Sequence, residues 1–413
     1  MPPLIVEYTS VDEALAQVTS LVLPPEKAKS VDSALSLGRT LAEDIVASSD
    51  SPPFPASHMD GYALASAATK GARPGHPQVL KIVGAIGPGE RFPVSLGAGQ
   101  AIRVATGAVL PEGSDAVLPA ESVTVRRDEI FVSSALESGS FVYGAGEDYR
   151  KGELLLARGR TVMPQDVGLL IASGRRRVRV FPRPRVSVIP TGSELTTRAR
   201  PGPGKVVESH SAVFRAMCGL LGCETVDAGI VGDDPKALAI ALRRAFASSD
   251  MVLTLGGTSA GQHDLVVGAV EALRPEVLVH GLKLDRGRVA GIASVRGAPI
   301  LMMPGPIQAA MNAFLMVGIP LIDRLSSRAP RRIEVPCRLS RPWTARRRFP
   351  GFLKVVYVKV RPGDLADPIA GETESIRMIT DSDGYFVVPE SVQRLEGGAA
   401  VRVRLFPGDG RIL

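Results

Sequence analysis

A glycine-rich turn with hydroxyl side chains lies in the second half of the chain, at residues 256–261. It follows the apolar run Met251–Leu255 and precedes a stretch, beginning at Asp264, whose apolar residues recur at helical spacing. A glycine turn between a strand and a helix N-terminus exposes backbone N–H groups, and such turns bind anions in open α/β sheets. The pattern is equally typical of a tight strand-to-helix connection that binds nothing. The candidate anion-binding residues are Gly256, Gly257, Thr258, Ser259 and Gly261.

Three further loops carry polar or turn-forming residues directly after apolar runs, at 191–194, 233–235 and 304–306. Because the carboxyl ends of parallel strands meet at one edge of a sheet, these loops and the glycine turn are expected to share one rim. Carboxylates on that rim could hold a hard cation such as Mg²⁺. The candidates for this role are Glu194, Asp264 and either Asp233 or Asp234. The substrate-binding candidates on these loops are Thr191, Gly192, Ser193, Pro304 and Gly305.

Each acidic candidate also has a purely structural interpretation. Asp234 before Pro235 is the pattern of a helix N-cap followed by proline at the first helical position. Asp264 could likewise favour the start of a helix, and Glu194 could brace its own loop. His280 shows no metal-ligand spacing and is interpreted as structural or exposed.

The elements that position these residues indicate a multidomain α/β plus β chain. Residues 1–44 and 143–180 show helical periodicity, and they flank residues 45–142, where short apolar runs alternate with Gly and Pro. This order predicts a segment-split helical domain that carries an inserted β domain. Residues 181–325 alternate strands with helices and predict a doubly wound α/β domain. Residues 326–413 contain strand patterns and predict a β-barrel or a β-sandwich.

The split domain carries two more specific expectations. Ser10 or Asp12 could cap a helix that runs to about Val22, and a second amphipathic segment covers residues 33–42. Six arginines lie between residues 175 and 185. We interpret them as a solvated boundary between domains, with an anion site as the alternative.

Charge and cysteine content narrow the classes of partner. The 413 residues carry a net charge of +7, and residues 324–413 alone hold 17 Lys and Arg against 10 Asp and Glu. Few aromatic residues interleave with these basic residues, so nucleic acid is not expected as a partner. The uncharged stretch 299–322 is interrupted by Pro and Gly and predicts no membrane span. Three cysteines without disulfide or zinc spacing, and the lack of a signal peptide pattern, favour a cytoplasmic protein.

Taken together, the motifs resemble those of the MoeA family, the molybdopterin molybdenumtransferases, which also includes the gephyrin E domain. The residues that carry the resemblance lie in order between positions 52 and 305. They read PPFPASHMDGYAL (52–64), ATGAVLPEGSDAVLPAE (105–121), GEDYRKGELL (146–155), PTGSEL (190–195), DDP (233–235), GGTSAGQHDL (256–265) and MPG (303–305).

The resemblance implies a molybdopterin-binding α/β domain and a homodimer. Its active-site cleft would combine the inserted domain of one subunit with the last two domains of the other. The implied reaction consumes adenylylated molybdopterin (molybdopterin-AMP) and molybdate or tungstate with Mg²⁺, and it releases AMP. A molybdopterin adenylyltransferase is a further candidate partner. Matching by position assigns catalytic roles to Asp60 and Thr106 of the inserted domain. It assigns both catalytic roles and Mg²⁺ binding to Glu194, Asp234 and Asp264.

Two loops depart from the family pattern. The family's KPGKP-type loop here reads DRGRV (285–289), and Arg286 and Arg288 are the candidates to replace its lysine charges. The PGNPVS-type loop reads PGPIQA (304–309). These changes motivate a second hypothesis, a non-catalytic or altered-substrate carrier or scaffold that binds molybdopterin or a related nucleotide. A third hypothesis is an adenylyltransferase that acts on the pterin.

Overall fold

The computed structural model of the chain describes residues 7–23, 25, 27–90, 95–258, 264–329, 333–345, 351–369 and 375–406. Its first segment contains one helix and two short strands, α1 (Val11–Thr19), β1 (Lys29–Asp32) and β2 (Ile45–Val46). The Ser10 side chain accepts a hydrogen bond from the Glu13 backbone N–H at 3.2 Å. The predicted cap of the first helix is therefore confirmed at Ser10.

The second predicted helix, over residues 33–42, is wrong. The segment forms a 3₁₀ turn at Ser33–Leu35, turns again at residues 37–38 and then makes isolated β-bridges. Beyond its local turn bonds, its backbone bonds to distant residues, since the Gly38 N–H donates to Val162 O and the Leu41 N–H to Arg160 O. Non-local partners have thus overridden the local helical periodicity.

The inserted domain holds β3 to β10, with six of these strands in one sheet of order β7-β4-β6-β5-β9-β8. It is a β domain, as predicted. The strands are β3 (Ala56–Ser57), β4 (Gly61–Leu64), β5 (Gln78–Ile86), β6 (Gln100–Val104), β7 (Ala116–Pro119), β8 (Thr124–Arg126), β9 (Glu129–Val132) and β10 (Val142–Tyr143).

The chain then returns to the first module through β11 (Leu154–Leu156), α2 (Pro164–Ala172) and β12 (Arg177–Val180). Strand β12 pairs antiparallel with β1, and β11 pairs with β2. Two small sheets thus connect the two separated segments. In the second segment only α2 is helical. We call this unit the split module.

The α/β domain is built on a six-stranded sheet of order β16-β13-β17-β20-β19-β18. The neighbouring strands β16, β13, β17 and β20 pair in parallel, whereas β19 runs antiparallel to both of its neighbours, β20 and β18. The elements are β13 (Arg185–Pro190), β14 (Leu195–Thr196), β15 (Val206–Val207), α3 (His210–Leu220), β16 (Glu224–Asp227), α4 (Pro235–Ser248), β17 (Met251–Leu255), α5 (Leu265–Glu271), β18 (Val277–His280), β19 (Gly291–Val295), β20 (Ala298–Met303), α6 (Ile307–Ala313) and α7 (Ile319–Leu325). A π-helical turn at Phe314–Gly318 joins α6 to α7.

Apolar clusters cover both faces of this sheet, so the doubly wound prediction is confirmed. One cluster includes Leu238 and Leu242 of α4 with Val266 and Val270 of α5. The cluster on the other face includes residues of α3, α6 and α7, and it also contains Val11, Ala14 and Val18 of α1. Helix α1, which the sequence pattern assigns to the segment-split helical domain, therefore packs on the α/β sheet. None of the helices in the described ranges is long and apolar enough to cross a membrane.

The C-terminal region closes into a five-stranded barrel of order β21-β24-β23-β25-β27, so the barrel alternative is the correct one. Its apolar interior includes Val358, Phe386 and Val403. The elements are β21 (Glu334–Leu339), β22 (Trp343–Thr344), β23 (Lys354–Arg361), β24 (Leu365–Pro368), α8 (Ile376–Thr380), β25 (Gly384–Val388), β26 (Arg394–Leu395) and β27 (Ala400–Leu405).

A buried hydrogen-bond chain fixes the barrel against the α/β domain. The Tyr357 hydroxyl on β23 donates to Asn312 Oδ1 on α6 at 2.7 Å. The Asn312 amide in turn donates to the carbonyls of Asp285 and Arg286, at 3.2 and 3.0 Å. Because Tyr357 and Asn312 are 2% and 1% exposed, water does not compete for these bonds.

We predict that Tyr357→Phe lowers the free energy of unfolding by about 1–3 kcal/mol, because it removes a donor from a buried acceptor. The measurement is urea denaturation of the variant and the wild type. Tyr143→Phe is the matched control, because that side chain is 40% exposed and should tolerate the change. Equal midpoints for Tyr357→Phe and the wild type would show that the hydrogen-bond chain contributes nothing to stability.

Candidate functional site

The carboxyl ends of the parallel strands meet at one rim, as the loop positions predicted. In the strand registers, Pro190 lies beside Leu255, and Leu255 beside Met303. Backbone hydrogen bonds continue this pairing into the loops, since the Thr191 N–H donates to Leu255 O at 2.7 Å and the Gly256 N–H to Met303 O at 3.0 Å. The loops that follow β13, β17 and β20 are therefore held side by side.

A cavity of about 470 Å³ opens on this rim, and we call it the rim cavity. The loops form one side, and the short parallel strands β14 and β15 form the other. Its lining includes Thr191, Gly192, Glu194, Val206, Val207, Glu208, His210, Asp233, Gly256, Gly257, Thr258 and Gly305.

The glycines of the turn are required by close backbone approach. Gly256 has φ +85°, and a Cβ there would lie 2.5 Å from the Thr191 carbonyl oxygen. Gly257 has φ +69°, and its Cβ would lie 2.7 Å from Val266 Cγ2. Both positions combine a left-handed backbone with contacts that a side chain could not make. The backbone of Gly256 and Gly257 therefore lies at the cavity wall with no side chain to keep a ligand at a distance.

Two hydroxyl groups at the rim cavity lack partners. Within the described ranges, Thr191 Oγ1 and Thr258 Oγ1 are buried and make no hydrogen bond. Buried polar atoms in folded proteins nearly always have a partner, so each unpaired hydroxyl calls for an explanation. A bound anion that accepts from both threonines would supply the missing partner, and the site's donors fit such a ligand.

Three carboxylate residues line this cavity, and one of them, Glu208, already accepts from the backbone N–H and the hydroxyl of Ser211 at 2.8 and 2.6 Å. Glu194 lines it, and its carboxylate rests against the Cα side of Gly192, in space that a larger residue would fill. Asp233 lines it as well and is fixed by a reciprocal pair of bonds with Ser193. The Ser193 N–H donates to Asp233 Oδ2 and the Asp233 N–H donates to Ser193 Oγ, both at 2.9 Å.

Asp234 is placed elsewhere, in the role that its sequence pattern also allowed. It is the N-cap of α4, and its two carboxylate oxygens accept from the backbone N–H groups of Lys236 at 3.1 Å and Ala237 at 3.2 Å. A carboxylate at a helix N-terminus compensates both the unpaired N–H groups and the helix dipole. Of the two neighbouring aspartates, the structure directs Asp233 to the rim cavity.

Asp264 is also a helix cap and lies beneath the rim. Its Oδ1 accepts from the Val267 N–H at 2.9 Å, and its Oδ2 lies 3.2 Å from His280 Nε2. Among the residues described, no three His, Cys, Asp or Glu side chains cluster as a metal site. The predicted trio of Glu194, Asp234 and Asp264 is therefore not assembled, because two of its members are held by helix N-termini.

The remaining candidates separate into three groups. Ser259 and Gly261 lie outside the described residues. Gly305 lines the rim cavity, and the neighbouring Pro304 is buried. Arg288 lies on the DRGRV loop and is half-buried.

Arg286 does not line the rim cavity but a second one of about 360 Å³ between the α/β domain and the barrel. We call this the interdomain cavity. Arg286 donates to Gln308 Oε1 at its wall. Lys354 of β23 also lines it, and burial is the main cause of the lowered pKa of Lys354, although nearby Asp285 and Glu390 act to raise that pKa. The interdomain cavity is thus lined by cations from two domains.

Asp60 and Thr106 meet each other in the inserted domain. The Thr106 N–H donates to Asp60 Oδ1 at 2.7 Å, and the Thr106 hydroxyl donates to the same oxygen at 2.9 Å. These two bonds, the backbone one first, lower the pKa of Asp60. The pair is exposed and does not line the rim cavity of its own chain.

Four residues that line the rim cavity are not predictable from sequence motifs, and these are Val206, Val207, Glu208 and His210. They lie beyond a Pro- and Gly-rich stretch at 197–204, and only the pairing of β15 with β14 brings them to the site. That pairing has no local sequence signal beyond the two short apolar runs. Lys354 was missed because its strand pattern alone gives no sign of the cavity beside it.

The fold and the rim cavity define a multidomain protein built on a doubly wound α/β domain with a glycine-lined cavity at the carboxyl ends of its parallel strands. Residues 9–174 match the model of the "MoeA N-terminal region (domain I and II)", and residues 187–324 match that of the "Probable molybdopterin binding domain".

Similar proteins agree with these matches. Molybdopterin molybdenumtransferase 2 of Mycobacterium tuberculosis is 29% identical over 89% of this chain and 92% of its own. A molybdopterin molybdenumtransferase from Nostoc is 31% identical over 71% of this chain and 68% of its own. Two structures of the MoeA molybdopterin biosynthesis protein from Pyrococcus horikoshii cover 97% of this chain and 100% of theirs, with identities of 31% and 26% and TM-scores of 0.82 and 0.86.

The chain belongs to the MoeA family of molybdopterin molybdenumtransferases. It is accordingly a transferase of molybdenum cofactor biosynthesis.

We predict that Gly256→Ala destabilises the protein by about 1–3 kcal/mol, because the position combines a left-handed backbone with a clash against Thr191 O. Chemical denaturation measures this change. Gly268→Ala in α5 is the matched control, because a Cβ there would meet nothing within 4 Å and alanine favours a helix by about 1 kcal/mol. If both alanine variants unfold at the wild-type midpoint, the rim is not as tightly packed as described.

We also predict that Thr106→Val raises the pKa of Asp60 toward the ordinary aspartate value. The variant loses the hydroxyl bond and keeps the backbone bond, so the pKa should remain partly lowered. Because the folded pKa is depressed, the associated stabilisation is present above the unfolded pKa and is lost as pH falls through the folded value. NMR titration of the Asp60 carboxyl carbon measures the shift, with the exposed Thr124→Val as control. An unchanged titration in Thr106→Val would contradict the assigned bond.

Proposed function

We propose that the protein inserts molybdate into adenylylated molybdopterin in a Mg²⁺-dependent reaction that releases AMP. The observation that carries this proposal is the rim cavity, where glycine backbone and two unpaired threonine hydroxyls surround space for a phosphorylated ligand. The names of the related transferases support the choice of molybdopterin as the substrate. Tungstate is a second candidate oxyanion, because it shares the charge and tetrahedral shape of molybdate.

In this proposal the chain acts mainly by binding and orientation. The Thr191 and Thr258 hydroxyls donate to phosphate oxygens, and the lack of a side chain at Gly256 and Gly257 lets the phosphate approach closely. Donors fixed in this way need not reorganise during the reaction. The turn would therefore hold the phosphate in place while the adenylyl group departs.

Glu194 and Asp233 are the residues that would hold Mg²⁺, because oxygen ligands suit this cation and both carboxylates face the rim cavity. When bound, Mg²⁺ offsets phosphate charge and polarises the phosphoryl–oxygen bond. Asp264 contributes by capping α5, the helix that follows the glycine turn, so it is proposed as a positioning residue. Asp234 has the same structural role for α4.

Asp60 and Thr106 enter the proposal from a second subunit. Their two hydrogen bonds fix the carboxylate in one orientation, although the pair is exposed and lies away from its own rim cavity. A fixed, ionised carboxylate on a surface is suited to complete a site on a partner chain. We therefore propose a homodimer in which the inserted domain of one subunit faces the rim cavity of the other.

A carrier or scaffold is the second candidate function, and the interdomain cavity favours it. Asp285 introduces a negative charge there, and Arg286 already donates to Gln308. Such a protein would bind the pterin nucleotide at the rim cavity and not turn it over. A pterin adenylyltransferase is the third candidate, and it would convert ATP and free molybdopterin into the adenylylated product.

The test is AMP release from adenylylated molybdopterin by the full chain, with molybdate, tungstate or neither, and with or without Mg²⁺. The proposal expects AMP release that requires both an oxyanion and Mg²⁺. Asp233→Asn should raise the Mg²⁺ concentration needed for half-maximal rate by roughly tenfold or more. Asp234→Asn is the control and should keep the wild-type requirement, because asparagine caps a helix nearly as well as aspartate.

Tight binding of adenylylated molybdopterin without oxyanion-dependent AMP release would replace the transferase proposal with the carrier. Adenylylation of free molybdopterin from ATP would favour the third candidate. A raised Mg²⁺ requirement in Asp234→Asn with none in Asp233→Asn would reverse the assignment of the two aspartates.

A further inference from the structure

A small cavity lies where the split module meets the α/β domain, and no described residue of the glycine turn lines it. It is lined by residues 38–40, 181–184 and 221–222, together with Ser326 and Arg328. Three arginines line it, Arg39, Arg183 and Arg328, and the lining contains no carboxylate. We call it the arginine cavity. The excess of positive charge in its wall is the first sign that it suits an anion.

Two buried polar atoms of this cavity lack partners. Within the described residues, Arg39 Nε and Ser326 Oγ are buried and make no hydrogen bond. Ser326 is only 5% exposed, so bulk water does not reach its hydroxyl freely. A buried donor without an acceptor is costly, and native structures satisfy such groups with a ligand or an ordered water.

The charges around the cavity are only partly compensated. The Arg328 guanidinium is paired with Asp323, and its Nη1 also donates to Leu221 O at 2.9 Å. Arg39 has no such carboxylate bond, and its Nη2 donates to the Phe181 carbonyl at 2.9 Å. Burial first, and then the charge of Arg183, lower the pKa of Arg39, while Glu224 acts to raise it. The half-buried Arg39 guanidinium is thus partly desolvated and lies near the like charge of the exposed Arg183.

The size of the space selects the class of anion. The arginine cavity has a volume of about 10 Å³, which is room for one particle of about the size of a water molecule. Tetrahedral oxyanions such as phosphate, sulfate or molybdate need more room. A single atomic anion is the smallest kind of anion and comes nearest to this volume, and it suits the arginine charges and the two donors.

We propose that the arginine cavity binds one chloride-class anion, which accepts hydrogen bonds from Arg39 Nε and Ser326 Oγ. The anion joins residue 39 of the split module to residue 326 of the α/β domain, and residues 181–184, which connect the two units, lie beside it. Its effect is to fix the two units against each other. This site is separate from the rim cavity and does not depend on the proposed reaction.

The first test is crystallographic. Crystals of the full chain soaked in sodium bromide should give an anomalous peak within hydrogen-bond reach of Arg39 Nε and Ser326 Oγ, because bromide replaces chloride and scatters anomalously. Ordered water at that position without an anomalous signal would overturn the proposal.

The second test measures thermal unfolding in sodium chloride and in sodium gluconate at equal ionic strength. Chloride should raise the midpoint of the wild type by about 2 °C over gluconate, because a ligand that binds only the folded state stabilises it. The difference should vanish in Arg39→Met and in Ser326→Ala. The second variant keeps all three arginines, so it still tests the site if Arg39→Met does not fold. The exposed Arg73→Met is the control and should keep the difference. An equal difference in wild type and Ser326→Ala would mean a general salt effect and would overturn the proposal.

Discussion

The close approach of three backbone segments at the carboxyl edge of the central sheet is the constraint on which the site depends. Leu255 is hydrogen-bonded through its carbonyl to Thr191, and the next residue, Gly256, donates to Met303. Only glycine at 256 lets the Thr191 carbonyl lie where it does. This packing places two threonine hydroxyls and the glycine backbone around one cavity, and every functional proposal for the rim starts from that arrangement.

Helix N-termini decide how the acidic residues of the rim are used. Two of the acidic candidates, Asp234 and Asp264, accept from the backbone N–H groups at the starts of α4 and α5. Glu194 and Asp233 are not used in this way and remain at the cavity. The helix caps thus stabilise the frame, and the two other carboxylates are left for a cation.

The parts of the fold that were predictable follow from local pattern and topology. Periodicity and Gly–Pro punctuation were enough for the inserted β domain and the doubly wound sheet, and the rule for parallel strand ends placed Thr191, Gly256 and Gly305 on one rim. The errors lie where distant residues decide the structure. The segment 33–42 bonds to residues 160–180, and α1 docks on a sheet more than a hundred residues away. The choice between Asp233 and Asp234 depended on a reciprocal bond with Ser193, which no spacing reveals.

The central claim is that the rim cavity is the phosphate end of a pterin nucleotide site. A crystal structure of the protein with adenylylated molybdopterin tests it most directly. The account predicts phosphate oxygens within hydrogen-bond distance of Thr191 Oγ1 and Thr258 Oγ1. A complex in which the nucleotide binds elsewhere, with both hydroxyls still unpaired, would contradict it.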